Sequence, residues 1–599
     1  MKLSPADIAI VAAYLLAMAW VGIWLKRRAT KGLDSFYLAD RGLPWWVLGL
    51  SGCSSYIDIG GTMGMVGILY YLGLKGLWAT HLFWGWFIIC FYMAFQAKWI
   101  RRSGVMTFAE WNECRFGPGR ATEGARLAAA VFLLVLMVAN LAYMSVGVGK
   151  FGEVVLGVER WQAVLAIYLV VGVYVTLGGF FGVIYTDVLQ TVLIFAGAVV
   201  FAALAFGTEA APRLVASKDP AWSSLAPAWT LWSGYAQEAS DAYRHFQFLG
   251  PVLLAGTFWC VFRVLAGPNV WDFQFFLTAR SARDAASAAG LWTVGYTARW
   301  VIGCSLLVLG FEHLGPAAGR DAERIMPEVL SRLSDGLRGC VIAILLAALM
   351  STLSAMINVT SSVVVNDFLK RYFARGLPER RLVRWGQVAS VVALLVAFGL
   401  SQLFRDVVTI WETMIFVVVS VILVPATLRW HWWRFGPGAF AWAMALSAAF
   451  IALRIAFLGK FLAGAFGADA LPAHWALAID TAACLAITLA VAHSPLSRPA
   501  PMDALVEFYA RVRPFGFWGP VRREAVRRGL VPERDPMPAI DIANGFLTAA
   551  FQFSLAALPF SALIERWRDA ALWAAAALAL AAILYVTWYR TLPTADERA

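Results

Sequence analysis

Long apolar runs separated by short polar segments make up most of the chain. Runs of about 20 apolar residues, the length of a membrane-spanning helix, begin near residues 6, 44, 77, 127, 161, 183, 248, 286, 338, 385, 408, 435, 475, 542 and 571. We number these spans 1 to 15 in chain order. The pattern predicts an all-α polytopic membrane protein with about 15 transmembrane helices, embedded in a lipid bilayer.

Composition and charge exclude other classes of protein. Of the 599 residues, 61% are hydrophobic and 14% are charged, whereas soluble domains average about 25% charged residues. The net charge of +12 could indicate nucleic acid, but the basic residues lie in short loops, so we expect no nucleic-acid partner. The sequence contains no HExxH, GxxxxGK or GxSxG motif, and its six histidines are scattered. We therefore expect neither an enzyme nor a cofactor.

Basic residues alternate between the two sides of the predicted membrane. The loops after spans 1, 3 and 9 (26–41, 98–120 and 370–384) are rich in Lys and Arg, whereas 208–246 and 312–337 balance their basic residues with Asp and Glu. Because positively charged loops stay in the cytoplasm, we expect the N-terminus outside and the C-terminus in the cytoplasm. We place the protein in the plasma (inner) membrane.

Two spans carry sequences that interrupt a helix. Span 2 contains residues 51–62 (SGCSSYIDIGGT), which combine small residues, hydroxyls and a carboxylate. Span 7 contains Gly267-Pro268, and proline removes a backbone donor and clashes with the preceding turn. Paired interruptions at matching positions indicate a transport site between inverted repeats, formed by spans 2–6 and spans 7–11. Close helix packing through small residues is the alternative.

These observations divide the chain into three parts. Residues 1–43 are expected to form an extra N-terminal transmembrane helix and a cytoplasmic loop, and residues 44–430 an inverted-repeat transport core. Residues 431–599 supply C-terminal helices and a polar, Pro-rich cytoplasmic linker at 494–540. The basic stretch of that linker either contacts anionic lipid headgroups or reflects the ordinary charge of a cytoplasmic loop.

Two segments resemble signatures of the sodium/solute symporter family, in the same order. The first is Gly178–Gln190 (GGFFGVIYTDVLQ), with Asp187 at a predicted membrane boundary, and the second is 347–367 (AALMSTLSAMINVTSSVVVND). The resemblance covers residues 1–430. It implies a leucine-transporter-like fold with a 5+5 inverted repeat, two broken helices and an extra N-terminal helix. It also implies sodium as the coupling ion.

The resemblance implies a sodium site between spans 2 and 9. Its ligands would be backbone carbonyls of Ser54, Ile57 and Ala348 and the hydroxyls of Ser351 and Thr352. The chemistry agrees, because a hard monovalent cation prefers oxygen ligands. The alternative is that the two hydroxyls only bond to carbonyls of their own helix.

Some members of the family bind a second sodium ion. The resemblance assigns this ion to Asp187, Ser351 and Ser354, but Ala355 stands where those members have a further hydroxyl. The sequence therefore does not decide whether the chain binds one sodium ion or two. Alternatively, Asp187 caps the N-terminus of span 6 or serves in gating.

The substrate would bind between the two broken spans. Asn269, Trp271 and Gln274 resemble the Asn-x-Tyr-x-x-Gln run of sugar transporters in the family, whereas Gly61 replaces a glutamine that those transporters use. Asn and Gln amides can both donate to and accept from hydroxyl groups. These residues favour a polyhydroxylated substrate.

Several charged residues fall within predicted spans. Asp58 occupies a position that faces the substrate in the family, and Arg263, Arg299 and Glu412 also lie within spans. Intramembrane charges pair with one another or line a pathway, so Asp58 either contacts substrate or neutralises an arginine. His81, early in span 3, either faces the cavity or lies at the membrane interface.

We therefore expect a sodium-coupled secondary active symporter that imports a small polar organic solute, with a sugar or sugar derivative favoured. A sodium-coupled amino acid or carboxylate symporter is the alternative, motivated by Asp58, Arg263 and Arg299. A channel or a transporter-like sensor is the alternative of another class. Broken helices around a buried ion site suit alternating access better than an open pore, and the 494–540 segment is too short for a kinase.

Overall fold

The computed structural model is largely helical over the residues that it describes, which are 3–267, 269–315, 322, 325–374, 376–404, 417–465 and 471–593. Within these ranges there is no β-strand, only two isolated bridges that pair Leu43 with Ala279 and Trp432 with Phe517. The all-α prediction is confirmed.

The main helices are labelled in chain order, and short helical turns are left unlabelled. Those of the first half are α1 (Pro5–Ala29), α2 (Trp45–Ser54), α3 (Ile59–Leu72), α4 (Arg120–Phe151), α5 (Arg160–Phe206), α6 (Leu249–Leu265), α7 (Val270–Thr278), α8 (Ala282–Gly295) and α9 (Thr297–Leu314). Those of the second half are α10 (Leu337–Ser362), α11 (Glu379–Ser401), α12 (Val417–His431), α13 (Pro437–Leu453), α14 (Ala473–Ala492), α15 (Met502–Val512), α16 (Gly519–Arg527), α17 (Met537–Leu563) and α18 (Trp567–Thr587).

The expected number of fifteen spans is not confirmed. By length and hydropathy, eleven helices within the described ranges can cross a membrane, or twelve if the bent pair α2–α3 counts as one span. One reason is that expected spans 5 and 6 lie in a single kinked helix, α5, which is counted once. Another is that expected span 3 divides into short α-helical and π-helical pieces between residues 73 and 103. The span expected near residue 408 begins outside the described residues, as does Glu412.

Helix α5 bends sharply within the first signature. Gly179 has φ 50° and ψ −148°, so the helix is interrupted there. A Cβ atom at this position would lie 2.7 Å from the carbonyl oxygen of Phe36, and only glycine tolerates such a conformation and contact. A straight helix of 47 residues would be about 70 Å long, more than twice the ~30 Å hydrocarbon core of a bilayer. The kink therefore separates expected spans 5 and 6.

Both expected helix breaks are present. Helix α2 ends at Ser54 and α3 begins at Ile59, and the chain bends by 65° between them. Helix α6 ends at Leu265 and α7 begins at Val270, with Gly267 at φ 104°. Pro268 lies outside the described residues. The unwound residues 55–58 are called the first break below, and residues 266, 267 and 269 the second break.

Helix α10 lies at the centre of the bundle. Every residue from 341 to 362 is buried, and α10 packs against α1, α4, α5 and α11. A helix enclosed on all sides by protein cannot expose its hydroxyls to water, so these groups must find partners inside the bundle. This position brings the second signature into contact with the first break.

The polar segment 494–540 is folded against the bundle. It contains α15 and α16, and the side chains of Phe508 and Trp518 are fully buried. The Trp518 indole donates to the carbonyl of Trp430 at 3.1 Å, and the guanidinium of Arg115 lies 4.5 Å from the Trp518 ring. The segment expected to be a linker is therefore a packed part of the structure.

Candidate functional site

A cavity of about 160 Å³ lies between the two helix breaks. The first break contributes Ser55, Tyr56 and Asp58 to its wall, and the second contributes Gly267 and Asn269. Pockets for drug-sized ligands have volumes of roughly 300–1,000 Å³. The cavity therefore suits a smaller solute, bound among unwound backbone and polar side chains.

The expected sodium ligands meet where the first break contacts α10. The hydroxyl of Thr352 donates to the carbonyl of Ser55 at 3.1 Å, and Ser351 Oγ lies 2.7 Å from Ser54 Oγ. Thr352 also lies 3.3 Å from the carbonyl of Ala348 in its own helix. Both hydroxyls thus contact residues outside α10. The alternative in which they bond only to carbonyls of their own helix does not fit these contacts.

Ile57, the remaining residue expected to bind sodium, lies in the first break. It is buried, and its N–H donates to the carbonyl of Ser54 at 3.0 Å. The group offers carbonyl and hydroxyl oxygens on two helices that touch. This donor set is chemically suited to a hard monovalent cation.

Asp187 lies behind this group of oxygens. Its Oδ2 accepts from the Ser51 hydroxyl at 2.5 Å, and Ser54 in turn donates to the Ser51 carbonyl at 2.8 Å. Asp187 Oδ1 is buried without a hydrogen-bond partner, and the carboxylate forms no ion pair within the described ranges. Ser354, the third residue assigned to the second ion, donates to the carbonyl of Ser351 at 2.8 Å.

The alternative in which Asp187 caps the N-terminus of span 6 does not fit the structure. Span 6 begins at the Gly179 kink, and Asp187 lies two turns further along the helix in a fully buried position. The first-turn N–H groups that need a cap are therefore out of its reach. The sequence could not show where the kink would place the helix start.

Two of the expected substrate residues line the cavity. Asn269 and Trp271 form part of its wall. The Asn269 amide donates to the Tyr56 hydroxyl at 3.1 Å, and its backbone N–H donates to the Tyr92 hydroxyl at 2.9 Å. Gly61 also lines the cavity. The hydrogen bond between Asn269 and Tyr56 therefore connects the second break to the first.

Gln274 and His81 do not line the cavity, and this corrects the sequence prediction. The Gln274 side chain accepts from the Asn358 amide at 3.0 Å, on the α10 side of α7. His81 is fully buried, with Nδ1 2.7 Å from the Leu77 carbonyl and its ring stacked on Trp300. Tertiary packing decides both orientations.

Asp272 is a polar residue to which the sequence analysis assigned no role. It is fully buried, and the hydroxyls of Tyr56 and Tyr92 both donate to its Oδ2, the latter at 2.8 Å. Its position within an interrupted span was the signal available in the sequence, because intramembrane carboxylates are rarely without a partner or a function. The tyrosine pair could not be foreseen, since it comes from distant segments.

Asp58 begins α3 and faces an arginine. Its Oδ1 accepts from the Gly61 N–H at 2.6 Å as an N-cap, and its Oδ2 lies 3.8 Å from Arg299 Nη2. Arg299 Nη1 donates to the Tyr56 carbonyl at 2.5 Å. The expected pairing of Asp58 with an intramembrane arginine is therefore present in a loose form.

A comparison with known families decides the class of protein. Residues 36–446 match the sodium:solute symporter family. The chain belongs to that family. Both helix breaks, the cavity between them and the central helix α10 fall within the matched residues.

Curated relatives are transporters and not enzymes. The chain is 27% identical over 443 residues to the sodium/glucose cotransporter 2 of Rattus norvegicus, covering 66% of this chain and 62% of the relative. It is 25% identical over 435 residues to the sodium/glucose cotransporter of Vibrio parahaemolyticus, covering 67% and 77%. It is 26% identical over 435 residues to the sodium/myo-inositol cotransporter 2 of Mus musculus, covering 66% and 61%.

A solved structure supports the fold. A Na⁺-coupled sialic acid symporter in a substrate-bound outward-open state aligns with a TM-score of 0.62 and 20% sequence identity. The alignment covers 83% of this chain and 99% of the other. At this identity the likeness concerns the fold and carries no assignment of substrate.

The geometry around Asp58 predicts a structural role for its charge. In Asp58→Asn the side chain can still cap α3, but Arg299 remains buried without a counter-ion. We expect a lower thermal unfolding midpoint in detergent, equivalent to about 1–3 kcal/mol. Asp241→Asn serves as the control, because Asp241 is exposed and pairs with Arg244 on the surface. Equal stability of Asp58→Asn and the wild type would contradict this role.

Proposed function

We propose that this protein is a sodium-coupled symporter that imports a small polar organic solute, and that the solute is a sugar or a sugar derivative. The observation that carries the proposal is that the Ser351 hydroxyl contacts Ser54 at the end of α2 and the Thr352 hydroxyl contacts the first break, in a chain of the sodium:solute symporter family. The relatives named for glucose and myo-inositol support the sugar class.

Sodium would act by holding α10 against the first break. It would bind the carbonyls of Ser54, Ile57 and Ala348 together with the hydroxyls of Ser351 and Thr352. The cavity shares the first break with this group, so an ion that orders the break also orders the wall of the cavity. Each ligand then raises the affinity for the other by the same factor, as linkage requires.

The cavity wall is suited to a polyhydroxylated ring. Asn269 offers an amide that donates and accepts, and Trp84, Trp86, Trp259 and Trp271 supply flat apolar faces. Closure of the two breaks around the solute would exclude water and permit release on the other side.

We also propose the expected membrane arrangement, with the N-terminus outside, the C-terminus in the cytoplasm and the protein in the plasma (inner) membrane. The alternation of basic loops supports it. The inverted-repeat core at 44–430, the N-terminal part at 1–43 and the C-terminal part at 431–599 form the corresponding division of the chain.

Two native cysteines test this orientation. Cys340 is exposed at the start of α10, and Cys114 is half-buried in the segment expected in the cytoplasm. A membrane-impermeant maleimide applied to intact spheroplasts should label Cys340, and Cys340→Ser should abolish that labelling. Cys114 should react only after permeabilisation. The reverse pattern would place the termini on the opposite sides.

Sodium-driven uptake tests the function itself. Purified protein in liposomes is given a panel of neutral sugars, sugar acids and amino acids, with an inward gradient of sodium or of choline. We expect at least one sugar or sugar derivative to accumulate only with sodium. Equal uptake in choline over a range of pH gradients would contradict sodium coupling.

Thr352→Ala connects this test to the proposed ion site. The substitution removes one ligand oxygen, so we expect the sodium concentration for half-maximal uptake to rise by about tenfold. Thr360→Ala is the matched control, because Thr360 is buried in the same helix and donates to the Met356 carbonyl of that helix at 2.7 Å. A parallel shift in both variants would point to a general effect on α10.

A second sodium ion is proposed at Asp187. The support is a buried carboxylate without an ion pair in the described part of the chain, adjacent to Ser51 and to α10. We expect Asp187→Asn, and likewise Ser354→Ala, to reduce the sodium-to-solute ratio from two to one, measured from reversal potentials or dual-isotope uptake. An unchanged ratio of two in a well-folded Asp187→Asn protein would exclude Asp187 as a ligand.

A further inference from the structure

The cavity wall carries more positive than negative charge. The charged residues that line it are Asp58, Arg263 and Arg299. Asp58 lies 3.8 Å from Arg299, and Arg263 forms no ion pair in the described ranges. The nearby carboxylate of Asp272 lies behind the wall, where it accepts from Tyr56 and Tyr92. Two guanidinium groups therefore share the cavity wall with one carboxylate, and Asp272 lies close enough to Arg263 to interact with its charge.

Arg299 has hydrogen-bonding capacity that the protein does not use. Its side chain is 4% exposed, and only Nη1 has a hydrogen-bond partner, the Tyr56 carbonyl. Nε and Nη2 are buried without a partner, since Asp58 is too distant for a hydrogen bond. The guanidinium lies 4.4 Å from the centre of the Trp86 ring. Buried donors on a charged group are costly unless an acceptor meets them.

Gly61 makes room for this guanidinium. A Cβ atom at position 61 would lie 2.3 Å from Arg299 Nη2. Any side chain there would displace the arginine from the cavity wall. Gly61 stands where sugar transporters of the family have a glutamine. Its lack of a side chain leaves space for Arg299, which lies on a different helix, α9. The two positions act together to place a cation in the substrate cavity.

Arg263 adds a second guanidinium to the same wall. Its Nε is buried without a hydrogen-bond partner, and its guanidinium lies 5.3 Å from the centre of the Trp259 ring. Arginine binds carboxylates through paired charge-assisted hydrogen bonds. Asp272 interacts with the charge of Arg263, whereas Asp58 lies 3.8 Å from Arg299 and already caps α3. The unused donors of Arg299 are therefore suited to a monoanion.

We propose that the solute is an anionic sugar derivative, a sugar acid whose carboxylate accepts hydrogen bonds from Nε and Nη2 of Arg299. This inference rests on the symport function proposed above and specifies its substrate class. The hydroxyls of the solute would meet Asn269, and the apolar C–H face of its ring would pack on the tryptophan faces. A neutral sugar would leave the arginine donors unpaired, and so would bind more weakly.

Solutes of similar size that differ in charge test whether the protein prefers an anion. Binding to the purified protein is measured by calorimetry, in sodium and in choline, for glucose with glucuronate and glucosamine, galactose with galacturonate, and sorbitol with gluconate. We expect the anion of at least one set to bind about tenfold or more tightly than its neutral counterpart. The cation glucosamine should bind most weakly of its set.

Two variants test whether Arg299 causes the preference for the anionic solute. Arg299→Gln should remove the preference for the anion, and Gly61→Ala should weaken it while the charge of Arg299 is retained. Gly61→Ala also covers the case in which Arg299→Gln fails to fold. The control is Arg332→Gln, because Arg332 is exposed, does not line the cavity and pairs with Glu328. Stabilisation of each variant by sodium shows that the ion site is intact.

The outcomes separate this inference from the function on which it rests. Equal or tighter binding of the neutral sugars, binding of zwitterionic amino acids alone, or binding of no anion by a sodium-stabilised protein would overturn the anionic substrate. An anion preference that persists in both variants would overturn the role of Arg299. Anion binding without any effect of sodium would instead overturn sodium symport.

Discussion

The need to satisfy backbone polar groups inside a membrane governs this structure. An unwound helix in an apolar surrounding leaves carbonyl and N–H groups that cost several kcal/mol each if they stay unpaired. At the first break, Thr352 bonds the Ser55 carbonyl and Arg299 bonds the Tyr56 carbonyl. At the second, His431 meets the Leu265 carbonyl at 3.1 Å. Each break is thus held by side chains from other helices.

The groups that hold the breaks are also those best placed to bind ligands. Thr352 and Arg299 each contact the first break, one beside the proposed ion site and the other in the cavity wall. A hydroxyl or a guanidinium that satisfies a carbonyl still has capacity for an ion or a solute. Stability and recognition therefore share the same atoms, so substitutions at these positions need both a folding measurement and a binding measurement.

The second break is linked to the C-terminal part of the chain. His431 contacts the Leu265 carbonyl through Nε2 and the Phe515 carbonyl through Nδ1, the latter at 2.9 Å. Phe515 also packs on Trp99, with ring centres 5.0 Å apart. The segment 494–540 is thereby connected to the end of α6. A composition rich in proline and arginine suggested a loose linker, but its buried aromatic residues anchor it.

The sequence by itself determined the helical class, the two breaks and the family, because apolar run length, Gly-Pro interruptions and ordered signatures are local properties of the chain. It also brought together Ser54, Ser351 and Thr352, through the resemblance of two distant segments. Only the tertiary structure decided that Gln274 faces Asn358, that His81 is enclosed by protein, and that Gly61 admits Arg299. These outcomes depend on which helices touch and on the rotation of each about its axis, and neither quantity is contained in the local pattern of apolar and polar residues.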